Sequence, residues 1–117
     1  PDGTIWGGEV LRVNYLSYER VGHLEPIFLP GGDRAAREPW RLAAALLFQR
    51  RGEGYEDDGG WLPANWKIID SQRRRLITRM MVRKINSPLT SSCGRLFDGV
   101  AALIGGRHHV TCEGQAA

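Results

Sequence analysis

Three glycine-rich corners hold most of what this sequence offers to chemistry. They are Asp2-Gly3-Thr4-Ile5-Trp6-Gly7-Gly8-Glu9 near the start, Pro30-Gly31-Gly32-Asp33, and Ser91-Ser92-Cys93-Gly94-Arg95-Leu96-Phe97-Asp98-Gly99. Glycine has no Cβ and lets bare backbone amides approach a phosphate, and a helix N-terminus is electropositive there. None of the three has dinucleotide-binding or Walker spacing. Each therefore reads either as a phosphate cradle or as an ordinary turn, with Gly94 merely a first-turn residue. Asp98 follows Gly94 by one turn on the same helical face. There it either accepts hydrogen bonds from a ribose or is a solvated carboxylate on the polar face. Gly99 costs a helix about 1 kcal/mol against alanine, a cost better tolerated where something packs closely.

Other reactive side chains are less well supplied with partners. His108 and His109 are neighbours on a loop, diverge, and have no acid or thiol at ligand spacing, so they read as solvated. Cys93 at a helix N-terminus would have a favoured thiolate, but no histidine is placed to serve it. Arg75, Arg79 and Arg83 follow one another at i+4, with Arg73 and Arg74 just before them. Such a stripe can grip nucleic acid, although a charged helix face is usually only solvated.

These residues need elements to hold them. Period-two signal from Ile5 to Ile27 predicts a hairpin joined at Leu16–Glu19, with Pro26 confining the second strand to an edge or ending its ladder. Asp33 is expected to cap a short turn over 34–37, and a helix over 38–50 has Pro39 near its first position and Leu42, Ala43, Leu46 and Leu47 inward. The segment 52–63 is glycine-rich and acidic, and reads as a mobile surface loop. A helix over 70–85 turns Leu76, Ile77, Met80, Met81 and Ile85 to one face. Ser91 or Ser92 caps a last full helix with Leu96, Phe97, Val100, Ala101, Leu103 and Ile104 inward, stopped by Gly105-Gly106. Thr111 is expected to cap one more helix.

The 117 residues suffice for one domain and exclude several. Hydrophobic residues at 42% and charged residues at 25% exclude wholesale disorder. No run reaches the roughly 18 apolar residues of a membrane span, which points to a soluble protein that binds no membrane. A net charge of +3 falls short of a dedicated nucleic-acid binder. Cys93 and Cys112 form neither a disulfide framework nor a zinc pair, so both are expected as thiols in a reducing cytoplasm. The chain opens at Pro1 without a methionine and stops just after an apparent helix start, which reads as part of something longer.

The strings PDGTIWGGEVL, RVGHLEPIFLPGGDRAAREPWR, INSPLTSSCGRLFDGVAALIG and VTCEGQAA occur in this order. Taken together they resemble the carbamoyltransferase HypF family of NiFe-hydrogenase maturation. The resemblance spans residues 1–50 and 85–117 and leaves the acidic loop and the basic helix without a recognisable motif. It implies a mixed fold, α+β or α/β: a fragment of an actin/hsp70-like ATPase-fold domain, similar to the tRNA threonylcarbamoyl-transferase domains, with an N-terminal β-hairpin followed by helices. Residues 1–117 would be one partial catalytic domain, without the family's acylphosphatase-like, zinc-finger and YrdC-like parts.

The implied chemistry turns ATP and carbamoyl phosphate into carbamoyl adenylate and passes the carbamoyl group to the C-terminal cysteine of a partner, HypE. Matched position by position, Gly31, Gly32, Asp33, Asn86, Ser91, Ser92, Gly94 and Asp98 are the implied nucleotide-cleft residues. No catalytic residue is assigned. The family's divalent-metal ligands, a histidine pair and two aspartates, fall outside Pro1–Ala117, so no metal ligand is expected here and the chain alone should be inactive. Asp2 lies in the second of two DGT-like strings, the more chemical first one being absent. Lys84 stands where the family usually has glycine, which questions a left-handed helix end there, and Gly22 and Gly99 replace other usual residues away from the candidate site. Two other functions are compatible with the residues: an O-carbamoyltransferase of natural-product biosynthesis, and a non-catalytic nucleic-acid or partner-binding module using the arginine stripe.

Overall fold

In the computed structural model, residues 3–56, 64–107, 109–112 and 114–116 are described. Asp2, His108 and residues 57–63 of the acidic loop lie outside them. The hairpin forms between β1 (Glu9–Val13) and β2 (Tyr18–His23), antiparallel with a bulge between Val10 and Leu11. Its turn falls at residues 14–17, earlier than the expected Leu16–Glu19. The reason is Asn14, whose side-chain oxygen accepts the N–H groups of Leu16 and Ser17 at 2.9 and 2.8 Å and so fixes the reversal. The ladder ends before Pro26, as expected. The chain then enters β3 (Ile27–Phe28), which pairs antiparallel with β4 (Leu89–Thr90), while Ile5 bridges Thr90 in parallel on the other side.

The helices follow the sequence signals closely in extent and less closely in facing. α1 (Asp33–Arg37) begins on Asp33 itself. The capping position is Gly32, without a side-chain cap, because only glycine adopts its φ of +59° freely. α2 (Pro39–Arg51) has Pro39 in its first turn and is buried almost all round from Pro39 to Ala45, not along a single stripe. It is the central element, with β3, α1, α3 (Ser71–Arg83) and α4 (Cys93–Leu103) packed around it. A 3-10 turn at Ala64–Ile68 delivers Trp66 into the core beside Tyr55. Tyr55 belongs to the segment read as a surface loop. It is buried instead, its hydroxyl 3.1 Å from Thr78 Oγ1, and burial pushes that phenol up to about 12.

On α3 only Ile77 and Met81 are buried, one turn apart, while Leu76 and Ile85 are 58% and 55% exposed. On α4 the inward face is Asp98, Gly99 and Ala102, while Phe97, Val100 and Ile104 point outward. Gly99 explains the rotation. A Cβ there would lie 2.8 Å from Leu46 Cδ1 and 3.2 Å from Leu42 Cβ, so the small residues face α2 and let the two helices close. Gly105-Gly106 does stop α4, Gly106 donating its N–H to the Ala101 carbonyl at 2.7 Å. No helix follows Thr111 among the described residues, because Gln115 folds back and its side-chain oxygen accepts the Thr111 N–H at 2.9 Å.

Lys84 ends α3 in the left-handed conformation at φ +55°, its N–H reaching the Met80 and Met81 carbonyls. The helix end therefore forms without glycine, at a cost of about 1–2 kcal/mol for an L-residue. Lys84→Gly removes that cost and returns part of it as unfolded-chain entropy. It is expected to raise stability by about 0.5–1 kcal/mol, read as a higher urea midpoint, and an unchanged or lower midpoint refutes the strain at Lys84.

A buried ion cluster ties these elements together. Glu38, at the junction of α1 and α2, receives Arg34 Nε at 2.6 Å, Arg41 Nε at 3.1 Å and Arg73 Nη2 of α3 at 2.7 Å. Arg41 is itself buried and reaches the Pro30 carbonyl at 3.4 Å. Gly31 has φ +88°, which favours glycine, and the Arg41 guanidinium packs against the space a Cβ would take there.

Candidate functional site

A cleft of about 430 Å³ opens between the N-terminal segment, α1, the start of α4 and the C-terminal tail. Ile5 and Trp6 form one wall, and Asp33 and Arg37 of α1 another. Thr90, Ser92 and Arg95 supply the floor, with Val110–Cys112 along the rim. The volume lies within the range of small-molecule sites, and the lining is divided about evenly between apolar and polar residues. Ser92 caps α4, its hydroxyl accepting the Arg95 N–H at 3.3 Å, so the electropositive end of an eleven-residue helix faces the cleft. The tail is held by the Val110 N–H on the Arg37 carbonyl at 2.9 Å.

Of the residues expected from sequence, Asp33 and Ser92 line this cleft. Ser91 lies behind it, buried. Asp98 is neither solvated nor a lining residue. It is 3% exposed and holds Arg95 Nη2 at 3.2 Å from Oδ2, so it reaches the cleft through that guanidinium. Gly94 is in the first turn of α4, with only Ser92 Oγ near a would-be Cβ, at 3.8 Å. Gly31, Gly32 and Asn86 form a corner of their own. The Gly31 N–H donates to the Asn86 carbonyl at 2.8 Å, and Asn86 adopts φ +43°, a conformation asparagine tolerates.

The sequence reading passed over Trp6, Arg37, Arg95 and Glu9. Glu9 organises the first corner. Its carboxylate accepts the N–H groups of Gly7 at 2.6 Å and Gly8 at 2.8 Å, Arg20 Nη2 at 2.9 Å, and the Ser91 hydroxyl. Its side chain is 6% exposed. Burial alone would push the carboxyl up, but Ser91, the two amides and Arg20 outweigh it and hold it below the ordinary carboxylate range. Arg20 in turn lies 4.3 Å from the centre of the Trp6 ring, so one buried carboxylate links the cleft wall, the hairpin and the entrance to α4. The signal available in the sequence was the acid directly after Gly7-Gly8, where a carboxylate can fold back onto its own turn.

Cys93 is half-buried and Cys112 exposed, both as thiols. Among the described residues, no group of three or more His, Cys, Asp or Glu side chains could hold a metal ion. No helix among them is long and apolar enough to cross a membrane.

The family model described as the second subdomain of the Kae1-like domain of carbamoyltransferase matches residues 1–117. The chain is 46% identical to carbamoyltransferase HypF2 of Cupriavidus necator over 99% of its own length and 13% of that protein's. It is 42% identical to carbamoyltransferase HypF of Synechocystis over 99% of its length and 16% of that protein's. A full-length HypF solved in a phosphate- and nucleotide-bound form superposes with a TM-score of 0.82 at 37% identity, covering 98% of this chain and 14% of that one. The chain thus spans only a small part of the proteins it matches.

Proposed function

The chain belongs to the carbamoyltransferase HypF family, and on that premise we propose that its cleft binds the nucleotide in an ATP-dependent carbamoyl transfer carried out by the intact protein. The observation that carries this reading is the convergence of Asp33 and Ser92, from strings far apart in the chain, with Arg37 and Arg95 around one cavity. Two guanidiniums and a helix N-terminus suit phosphate oxygens. Asp33 suits a ribose hydroxyl, and Trp6 supplies an apolar wall. Asp98 is a positioning residue that holds Arg95. In this reading carbamoyl phosphate loses its phosphate to water, the resulting carbamate displaces pyrophosphate from ATP to give carbamoyl adenylate, and the C-terminal cysteine thiol of HypE takes the carbamoyl group with release of AMP, in a reducing cytoplasm. The steps this reading gives to the chain are binding and orientation of the nucleotide. Gly31, Gly32, Asn86 and Gly94 shape the turns that present α1 and α4 rather than touching the ligand.

The arginine stripe does not favour a nucleic-acid module, since Arg75 and Arg79 share their groove with Glu53 and Glu56, which repel a polyanion. In the intact protein, Arg95→Gln is expected to weaken ATP binding roughly tenfold or more, the worth of a charge-assisted hydrogen bond. Asp98→Asn should act in the same direction and also lower the melting temperature, because that carboxylate is buried. Replacing Arg75, Arg79 and Arg83 by glutamine should leave carbamoyl transfer within a few-fold. Calorimetric affinities of Arg95→Gln and the parent that coincide would remove the nucleotide from this cleft.

A further inference from the structure

Across the ridge formed by Asp33 and Arg37 lies a second cleft of about 680 Å³, lined by Asp33, Arg34, Arg37, Glu38, Arg73 and His109. Its electrostatics are unbalanced. Glu38 is shared by Arg34, Arg41 and Arg73, and Arg37 stands beside them with no side-chain ion pair to any described residue. With Arg41, which is buried behind Glu38 and does not line the cleft, four guanidiniums meet two carboxylates, those of Asp33 and Glu38, leaving a surplus of two positive charges. Arg41 is subject to that surplus as well as to burial. Its guanidinium is pushed down by burial and further by the Arg34 and Arg73 charges, with Glu38 alone opposing them.

Donors are in surplus too. A guanidinium has five N–H groups in a planar fork. Arg34 spends Nε and Arg73 one Nη on Glu38, while their side chains remain 66% and 43% exposed. Glu38 therefore works as a bracket that holds two guanidiniums side by side, against their mutual repulsion, with unused donors toward solvent. We propose that this second cleft binds a phosphate monoester of a small molecule, its dianion matching the surplus charge and the Arg34 and Arg73 forks holding its oxygens. The volume leaves room for an organic substituent. The two flanking carboxylates disfavour an extended polyanion. Asp33 and Arg37 are common to both clefts, so the two sites adjoin, and Arg34 and Arg73 line this one and not the cleft proposed for the nucleotide.

The test uses the intact protein at constant ionic strength, titrated by calorimetry with inorganic phosphate and, separately, with phenyl phosphate. Saturable binding of both is expected, tighter for the monoester. Arg34→Gln, at an exposed position that puts folding at little risk, should weaken it about fivefold, and Arg34→Gln with Arg73→Gln at least about tenfold. Neither variant should change ATP affinity, which is read in the same samples and reports the first cleft independently. Arg75→Gln with Arg79→Gln controls for general loss of positive charge and should leave phosphate binding unchanged. Equal affinities for the two probes would reassign the site to free phosphate and overturn the monoester. No saturable binding, affinity unaffected by Arg34→Gln, or an equal loss in the Arg75/Arg79 control would overturn the site itself.

Discussion

Replacing Glu38 by glutamine is expected to cost the fold about 3–5 kcal/mol, the usual penalty for removing one partner of a buried ion pair. Glutamine keeps the size of the side chain but not its charge. Arg41, 8% exposed, would remain buried beside Arg34 and Arg73 without the carboxylate that pairs with it among the described residues. The loss would spread to the Pro30 turn through the Arg41 contact with its carbonyl, and to α3 through Arg73. The pH dependence has a definite sign. Burial alone would raise the Glu38 carboxyl, but Arg41 and Arg34 outweigh it and hold it below the ordinary carboxylate range. A group whose folded-state value is depressed contributes stability that is complete above its unfolded value and is lost as pH falls through the folded one. The parent should therefore lose stability on acidification below the ordinary carboxylate range, and the difference from Glu38→Gln should shrink there. Urea midpoints at neutral pH and in an acid series measure both. A neutral-pH difference under about 1 kcal/mol would mean that solvent, not Glu38, compensates Arg41.

What the sequence disclosed about this molecule depended on how local the controlling physics was. Pro39 at a helix start, Ser92 as a cap and Gly105-Gly106 as a stop act within one turn of the backbone, and each is legible from residue type and spacing. The facing of α4 was not. Its apolar periodicity points to Phe97, Val100 and Ile104, but the close approach of α2 selects Gly99 and Ala102, and a steric limit set by Leu42 and Leu46 leaves no mark on the helix's own pattern. The two organising carboxylates were hidden for a related reason. Glu9 meets Ser91 across 82 residues and Glu38 meets Arg73 across 35, so their partners are fixed by tertiary structure alone. Asp33 and Ser92 stood out because glycine-rich corners advertise anion chemistry. Arg37 and Arg95 did not, because an arginine on a helix reads as solvated until its neighbours are known.

Gly8→Ala is expected to damage the nucleotide cleft more than any other single methyl group. A Cβ at Gly8 would fall 2.3 Å from the Ser91 carbonyl oxygen and 2.7 Å from Leu24 Cδ1. Leu24 can rotate, but the carbonyl cannot retreat. The Ser91 N–H is bound to the Ile5 carbonyl at 3.0 Å, and the Ser91 hydroxyl is bound to Glu9. The segment from Ile5 to Glu9 must then move away from the corner between β4 and α4, taking Trp6 and the Glu9 hydrogen bonds with it. Overpacking of this kind costs about 1–3 kcal/mol of stability. The functional cost should be larger, because displacing a binding wall by about 1 Å can reduce a reaction on the order of a hundredfold. In the intact protein Gly8→Ala should weaken ATP binding by at least about tenfold while remaining folded. Gly22→Ala is the matched control: its nearest neighbour is Val10 Cβ at 3.8 Å, ordinary contact, so stability should change by no more than about 0.5 kcal/mol and affinity not at all. Parent-like ATP affinity in a folded Gly8→Ala protein would show that the segment from Ile5 to Glu9 is no wall of the nucleotide site, and would leave Ser92, Arg37 and Arg95 to hold the phosphates without it.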